Sequence, residues 1–369
     1  MSAVVRFSAK FLGLSVLFSL LVACGGGGGS SNAEVDEGPE AGGDPATQTG
    51  GQTSGAGNTT VQDALAMAAP LSPVIRSGFG DGVTGVPVEA IEQFGGADAA
   101  SDIPNDWSNL LAGSADRSGG YFEIQYQGGD TTQRYARLSP DPDNAANQTL
   151  QFWLHDENLN AGNENYRDMR GRIQANFYEN FNLDTYYHSV RVRFGADFAA
   201  LSDHAGTFDW LTIFEAWNGA NWVPEEQFPF HVAVNLSKPV GAAGSRLHFK
   251  AHGRSYVQGV GFNEIWSDSN QDFAVPLEQW MTMELYMRQG DGQNGRFYMT
   301  VSPDGGEKIV LFDVVDYTQH PDDPAPTGFD YINPVKLYTL EPVLDIVNST
   351  GGSMDMHWDD LEFGHTANE

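Results

Sequence analysis

The sequence predicts an all-β domain, a two-sheet antiparallel sandwich of the jelly-roll kind, and three observations carry that prediction. Short segments of alternating apolar and polar residues recur from residue 121 onward. Turn formers separate them, among them Asn180-Phe181-Asn182, Asp291-Gly292, Asn294-Gly295 and Pro303-Asp304-Gly305-Gly306. No stretch keeps the 3.6-residue apolar spacing through three helical turns. Many short strands with regular turns, in one region of this size, pack as two sheets.

The elements follow in chain order. Arg6 and Lys10 precede an apolar run from residue 11 to 23, which reads as a secretory signal over residues 1–23. The run ends in Leu21-Val22-Ala23-Cys24, which resembles the lipobox of bacterial lipoproteins. That resemblance implies lipidation at Cys24, and Gly25 after it points to the outer membrane, on either side of it. Cys24 is the only cysteine, so no disulfide and no thiolate metal site can form. Residues 24–59 are Gly, Ser and acid rich, with too few large apolar groups to offset their ordering entropy, and read as a flexible tether. Residues 60–106 are mixed, with a short helix expected over 61–69. The sandwich is expected over residues 107–366, with strands at 121–126, 149–154, 171–178, 186–194, 210–217, 230–236, 246–252, 280–288, 296–301, 308–314, 335–339 and 353–363.

A formal net charge of −30 argues against nucleic acid and anionic lipid surfaces as partners. The cations are unevenly placed: eleven of the nineteen Lys and Arg lie between Arg134 and Arg254. Three strands in that region alternate with the wrong polar residues for an ordinary solvated face. Arg172, Gln174, Asn176 and Tyr178 share one face of the first, opposite Ile173, Ala175 and Phe177. His231 and Asn235 share a face of the second. His248, Lys250, His252 and Arg254 alternate along the third, where neighbouring positive charges favour an open groove facing an anion.

Three late segments carry a family resemblance: Trp280-Met281-Thr282-Met283-Glu284-Leu285-Tyr286, Gly295-Arg296-Phe297-Tyr298-Met299, and His357-Trp358-Asp359-Asp360-Leu361-Glu362-Phe363-Gly364. They resemble the closing strands of concanavalin-A-like jelly rolls, a superfamily of glucanases, polysaccharide lyases and lectins. The strand Arg172-x-Gln174-x-Asn176 keeps the spacing of the R-x-E-x-R strand of alginate-lyase-type members while changing two of its letters. The resemblance implies an acidic polysaccharide as partner, no required cofactor and, as in many jelly rolls, a structural Ca²⁺. Asp359, Asp360 and residues 141–144 could supply oxygens for that ion. A monomer is expected.

β-Elimination at a uronate needs its carboxylate neutralised, a base for the C5 proton and a donor for the leaving O4. Arg172, Gln174 and Asn176 suit the first task. His231, His248 and His252 are candidate bases. Tyr178, Tyr187, Tyr256 and Tyr338 are candidate donors, Tyr338 lying in a Lys336-Leu337-Tyr338 triplet that is loosely similar to an alginate-lyase strand. Lys250 and Arg254 would hold flanking acidic sugars, and the loop-borne Trp222 would stack on a sugar ring. Two other readings stand beside this one. Glu215, in an otherwise apolar strand, could pair with Glu284 of a neighbouring strand as the two carboxyls of a retaining glycosidase, which sit about 5–5.5 Å apart. The same groove could also bind glycan without cutting it.

Overall fold

The computed structural model describes residues 73–80, 82–88, 91–95, 121–127, 131–155, 170–176, 183–223 and 225–367. Its chain order is β1 (Pro73–Ser77), β2 (Thr84–Val88), β3 (Ile91–Gly95), β4 (Tyr121–Gln127), β5 (Arg134–Pro140), β6 (Gln148–Leu154), β7 (Arg170–Asn176) and β8 (Leu183–Phe194). A 3-10 turn (Ala196–Phe198) and the short helix α1 (Ala199–Asp203) follow. Then come β9 (Phe208–Asn218), β10 (Phe230–Lys238), β11 (His248–Val257), β12 (Gly261–Asn270), β13 (Met281–Arg288), β14 (Arg296–Pro303), β15 (Ile309–Val315), β16 (Tyr331–Asn333) and β17 (Lys336–Leu340). Helix α2 (Glu341–Asn348) and the long strand β18 (Met354–Ala367) close the chain.

These strands form two antiparallel sheets, the jelly-roll sandwich expected from the periodicity. One runs β15-β14-β13-β8-β18-β6-β5, with β1 on the free side of β18. The other runs β12-β11-β10-β9-β17-β7-β4-β3-β2, with β16 paired to β9. Each of the twelve expected strands appears, with ends moved by a few residues. Six were not expected: β1, β2, β3, β5, β12 and β16. β1 to β3 come from the segment that read as mixed. They extend existing sheets, so backbone pairing rather than a strong apolar alternation of their own holds them. β12 misses the eye for the same reason: most of its side chains are partly or fully exposed at the sheet edge. Cys24, the tether, the helix expected over 61–69 and Tyr178 lie outside the described residues.

The two sheets meet through their alternate residues. Ile173 and Ala175 of β7, Val232 and Val234 of β10, Phe249 and Ala251 of β11 and Leu337 of β17 enter the core from one side. Val190, Val192, Met283, Leu285, Met299, Met356 and Trp358 enter from the other. Full burial of such a side chain contributes about 1.5–3 kcal/mol, and it fixes register, because a one-residue slip would turn every core group outward. The polar partners of these core residues are therefore held on the outer face of the larger sheet.

Candidate active site

β9 departs from strict alternation, and the departure matters. Its register against β10 runs Ala233↔Glu215 and Val234↔Phe214, then jumps to Asn235↔Thr212. Ile213 is the extra residue of a β-bulge, buried in the core beside Phe214. The bulge lets Trp210 and Thr212 share a face with Glu215 and Trp217. β17 then lays Tyr338 opposite Thr212 on one side and opposite Arg172 of β7 on the other. Reading across the strands, Lys250, Asn235, Thr212, Tyr338 and Arg172 make one rung. His252, Ala233, Glu215 and Asn333 make the next, and Arg254, His231, Trp217 and Tyr331 a third. The three polar strands expected to share a groove do share one sheet face. β9 and β17 lie between them.

Tyr338 is the centre of the basic end. Its phenolic oxygen accepts a hydrogen bond from an Arg170 terminal nitrogen at 2.8 Å. The Arg172 guanidinium carbon lies 5.7 Å from its ring centroid and the Lys336 ammonium 4.8 Å, while Trp210 meets it edge-on at 5.2 Å. Arg170 and Lys336, which the sequence reading did not name as site residues, are thus its nearest cationic neighbours. Period two from Arg172 points back to Arg170, and that signal was available. Asn333 was not legible, since β16 is three residues long. Its amide donates to Asn176 Oδ1 at 2.7 Å, and Gln174 donates to the same oxygen at 2.7 Å. Gln174 therefore orients Asn176 rather than offering its own amide nitrogen outward.

Glu215 accepts from Lys336 through one oxygen and approaches His231 Nε2 at 3.2 Å through the other. Burial alone would raise its carboxyl, but the Lys336 ammonium and the His231 contact outweigh that and hold it well below the usual range. Its partners are thus a lysine and a histidine. Glu284 lies on β13 in the opposite sheet, bound to Lys308 and Thr300, so the expected carboxyl pair does not form.

The histidines separate. His231 stacks on Trp217 at 4.3 Å and meets His252 edge-on at 5.4 Å. Burial, with Arg254, His231 and Lys250 adding to it, pushes His252 well below the ordinary histidine range, so it is neutral at pH 7. His248 points its Nδ1 to the Phe273 carbonyl at 3.0 Å, a structural contact. Lys250 and Arg254 are paired with Asp209 at 2.8 Å and Glu264 at 3.7 Å. Tyr256, on the same face of β11 as His252 and Arg254, is 1% exposed and packed edge-on against Phe262, whose ring also meets Trp217 and His231. Tyr187 sits on β8, in the other sheet. Trp222 remains 43% exposed, edge-on to Trp217 and Tyr331.

One property unites this face. Among the described residues, Arg172 Nε, Gln174 Oε1, Asn176 Nδ2, Trp217 Nε1, His231 Nδ1, Asn235 Oδ1 and both ring nitrogens of His252 are buried and find no hydrogen-bond partner. A buried polar atom left so costs about 1–3 kcal/mol, and this many on one side of one sheet mark a surface built for a polar ligand. On the other sheet, Asp359 accepts from Asn147 at 2.8 Å and from the Asp360 amide, with Arg191 3.7 Å from both carboxylates. Among the described residues no group of three or more acidic, histidine or cysteine side chains is arranged to hold a metal ion.

Fold and face together define a jelly-roll sandwich with a polar, cation-bearing face on its larger sheet. No protein-family model matches the chain, and no curated protein matches it. Among solved structures it is similar to alginate lyase Aly36B, at 11% identity over 80% of this chain and 98% of that one, with a TM-score of 0.41. It is also similar to the endo-β-1,4-glucuronan lyase of the fungus Trichoderma reesei, at 12% identity over 65% and 90%, TM-score 0.39. A third is the catalytic domain of the glycoside hydrolase family 131 protein of Coprinopsis cinerea, at 11% identity over 70% and 88%, TM-score 0.32.

Proposed function

We propose that this protein is a polysaccharide lyase that cleaves a uronate-containing polymer by β-elimination at Tyr338. The observation that carries the reading is the setting of that phenol. Three cations surround it, while the donor Arg172 Nε beside it is buried with no partner among the described residues. In this reading Arg172 binds the uronate carboxylate and draws charge off C5, and Asn176, four residues further along β7, binds a neighbouring sugar. The phenolate of Tyr338 takes the C5 proton. The electron pair forms the C4–C5 double bond as the C4–O4 bond breaks, and the same phenol returns the proton to O4. Arg170 supports the phenolate, because a hydrogen bond to an ionised oxygen is about twice as strong as one to a neutral oxygen.

His252 is a less suitable base for that bond. β11 and β17 are three strand intervals apart, about 14 Å between backbones. His252 and His231 are better placed to bind a neighbouring sugar. Glu215 is held ionised between Lys336 and His231, which suits neither a glycosidase acid nor a free nucleophile. Attachment to the outer membrane through a lipid on Cys24 belongs to the same proposal, and metabolic labelling with a palmitate analogue tests it.

The test is incubation with alginate, glucuronan, pectate and neutral glucans, following the ultraviolet absorbance of the unsaturated product. Absorbance that appears with one polyuronate and disappears in Tyr338→Phe is the expected result. New reducing ends without absorbance would mean hydrolysis, and retained binding with neither signal would mean a glycan-binding protein.

A further inference from the structure

The two ends of this face differ in chemistry. The Tyr338 rung lies among Arg170, Arg172 and Lys336. Along the strands, four residues away on β10 and so about 13 Å further, the Trp217 rung carries Arg254 and His231 on β11 and β10, and at its β9–β16 end aromatic rings with carboxylates beside them. Trp222 stands on Trp217 at 5.1 Å and on Tyr331 at 5.4 Å, with its indole open to solvent. Tyr331 donates to Glu226 at 3.0 Å. The Asp330 backbone is tied to the Trp217 carbonyl at 2.9 Å, and its carboxylate accepts from the Gly219 amide. Burial and the nearby Glu226 raise Asp330 to about 6. Trp217 Nε1, beneath Trp222, is buried with no partner among the described residues.

A sugar ring has an apolar C–H face that packs on an indole and an edge of hydroxyls that donate to carboxylates. A uronate at this end would set its own negative charge against two others. We infer that the end built by Trp217, Trp222, Tyr331, Glu226 and Asp330 binds an uncharged sugar, so that the substrate is a heteropolysaccharide in which neutral sugars accompany the uronates. This specificity rests on the uronate reading of the Tyr338 end, but its test does not depend on cleavage.

Binding is read by tryptophan fluorescence with neutral gluco-, manno- and xylo-tetrasaccharides and with a glucuronate tetrasaccharide. At least one neutral tetrasaccharide binds, and Trp222→Ala weakens it about tenfold, the effect of losing one good stacking contact. Trp222 is exposed on a loop, so its removal leaves the core intact. Asp330→Asn, which removes the charge and keeps one acceptor oxygen, tightens the glucuronate tetrasaccharide and weakens the neutral one. The inference is overturned if no neutral tetrasaccharide binds, or if Trp222→Ala weakens the glucuronate ligand as much as the neutral one. Failure of the lyase reading shows separately, as absence of unsaturated product from every polymer.

Discussion

Lys336 shows how much one side chain can decide. Its ammonium is 1% exposed and is shared between the Glu215 carboxylate and the face of Tyr338. Removing one partner of such a pair strands the other as a buried charge, which costs about 3–5 kcal/mol. Lys336→Met should therefore lose stability on that scale in urea denaturation, whereas Lys336→Met combined with Glu215→Gln should recover most of it. A double variant as unstable as the sum of the singles would mean that the two groups do not interact. The triplet Lys336-Leu337-Tyr338 was visible in the sequence as a strand. That its lysine reaches Glu215 was not, because nothing local tells which strand lies alongside.

At the scale of the element, β7 depends on a close approach. A Cβ on Gly171 would lie 2.7 Å from a Leu154 methyl of β6, in the other sheet. Arg170 and Arg172 flank that glycine and point the opposite way. Gly171→Val should overpack the interface and destabilise by about 1–3 kcal/mol, with a lowered melting temperature. It should also weaken polyuronate binding, because pushing β7 outward moves both arginines relative to Tyr338. A destabilised variant with unchanged polyuronate affinity would show that β7 does not position the groove. The faces of β7, β10 and β11 were legible from alternation alone. β9 was not fully so: an unbulged strand would have set Thr212 and Glu215 on opposite faces.

For the whole molecule, pH dependence follows from groups buried in opposite senses. His188 is fully buried in the core, hydrogen-bonded to Tyr186 at 2.5 Å, and burial lowers it to about 3. A depressed folded value means that the unfolded chain binds the proton first. His188 thus withdraws stability as pH falls from about 6.5, the unfolded value, toward about 3. Asp359 behaves oppositely: burial, then Asp360, raise it to about 7. Its contribution is complete below the unfolded value of 3.8 and is lost as pH rises through about 7. Melting temperature against pH should lose its acid-side slope in His188→Leu and its neutral-side slope in Asp359→Asn. Unchanged profiles would place the responsible protons elsewhere.

The sequence by itself determined the sandwich and the polar face of each central strand, because alternation is set by bond geometry within a few residues. It could not determine which faces adjoin. Arg170 and Tyr338 touch although 168 residues separate them, and Glu215 reached Lys336 and His231 rather than Glu284. Strand order is settled by which core faces pack together over the whole chain, and a bulge at Ile213 adjusts the outcome. Residue types drew attention to these strand faces. Only the pairing of β9 and β17 with their neighbours made Tyr338 their centre and left an aromatic, acidic end beyond it.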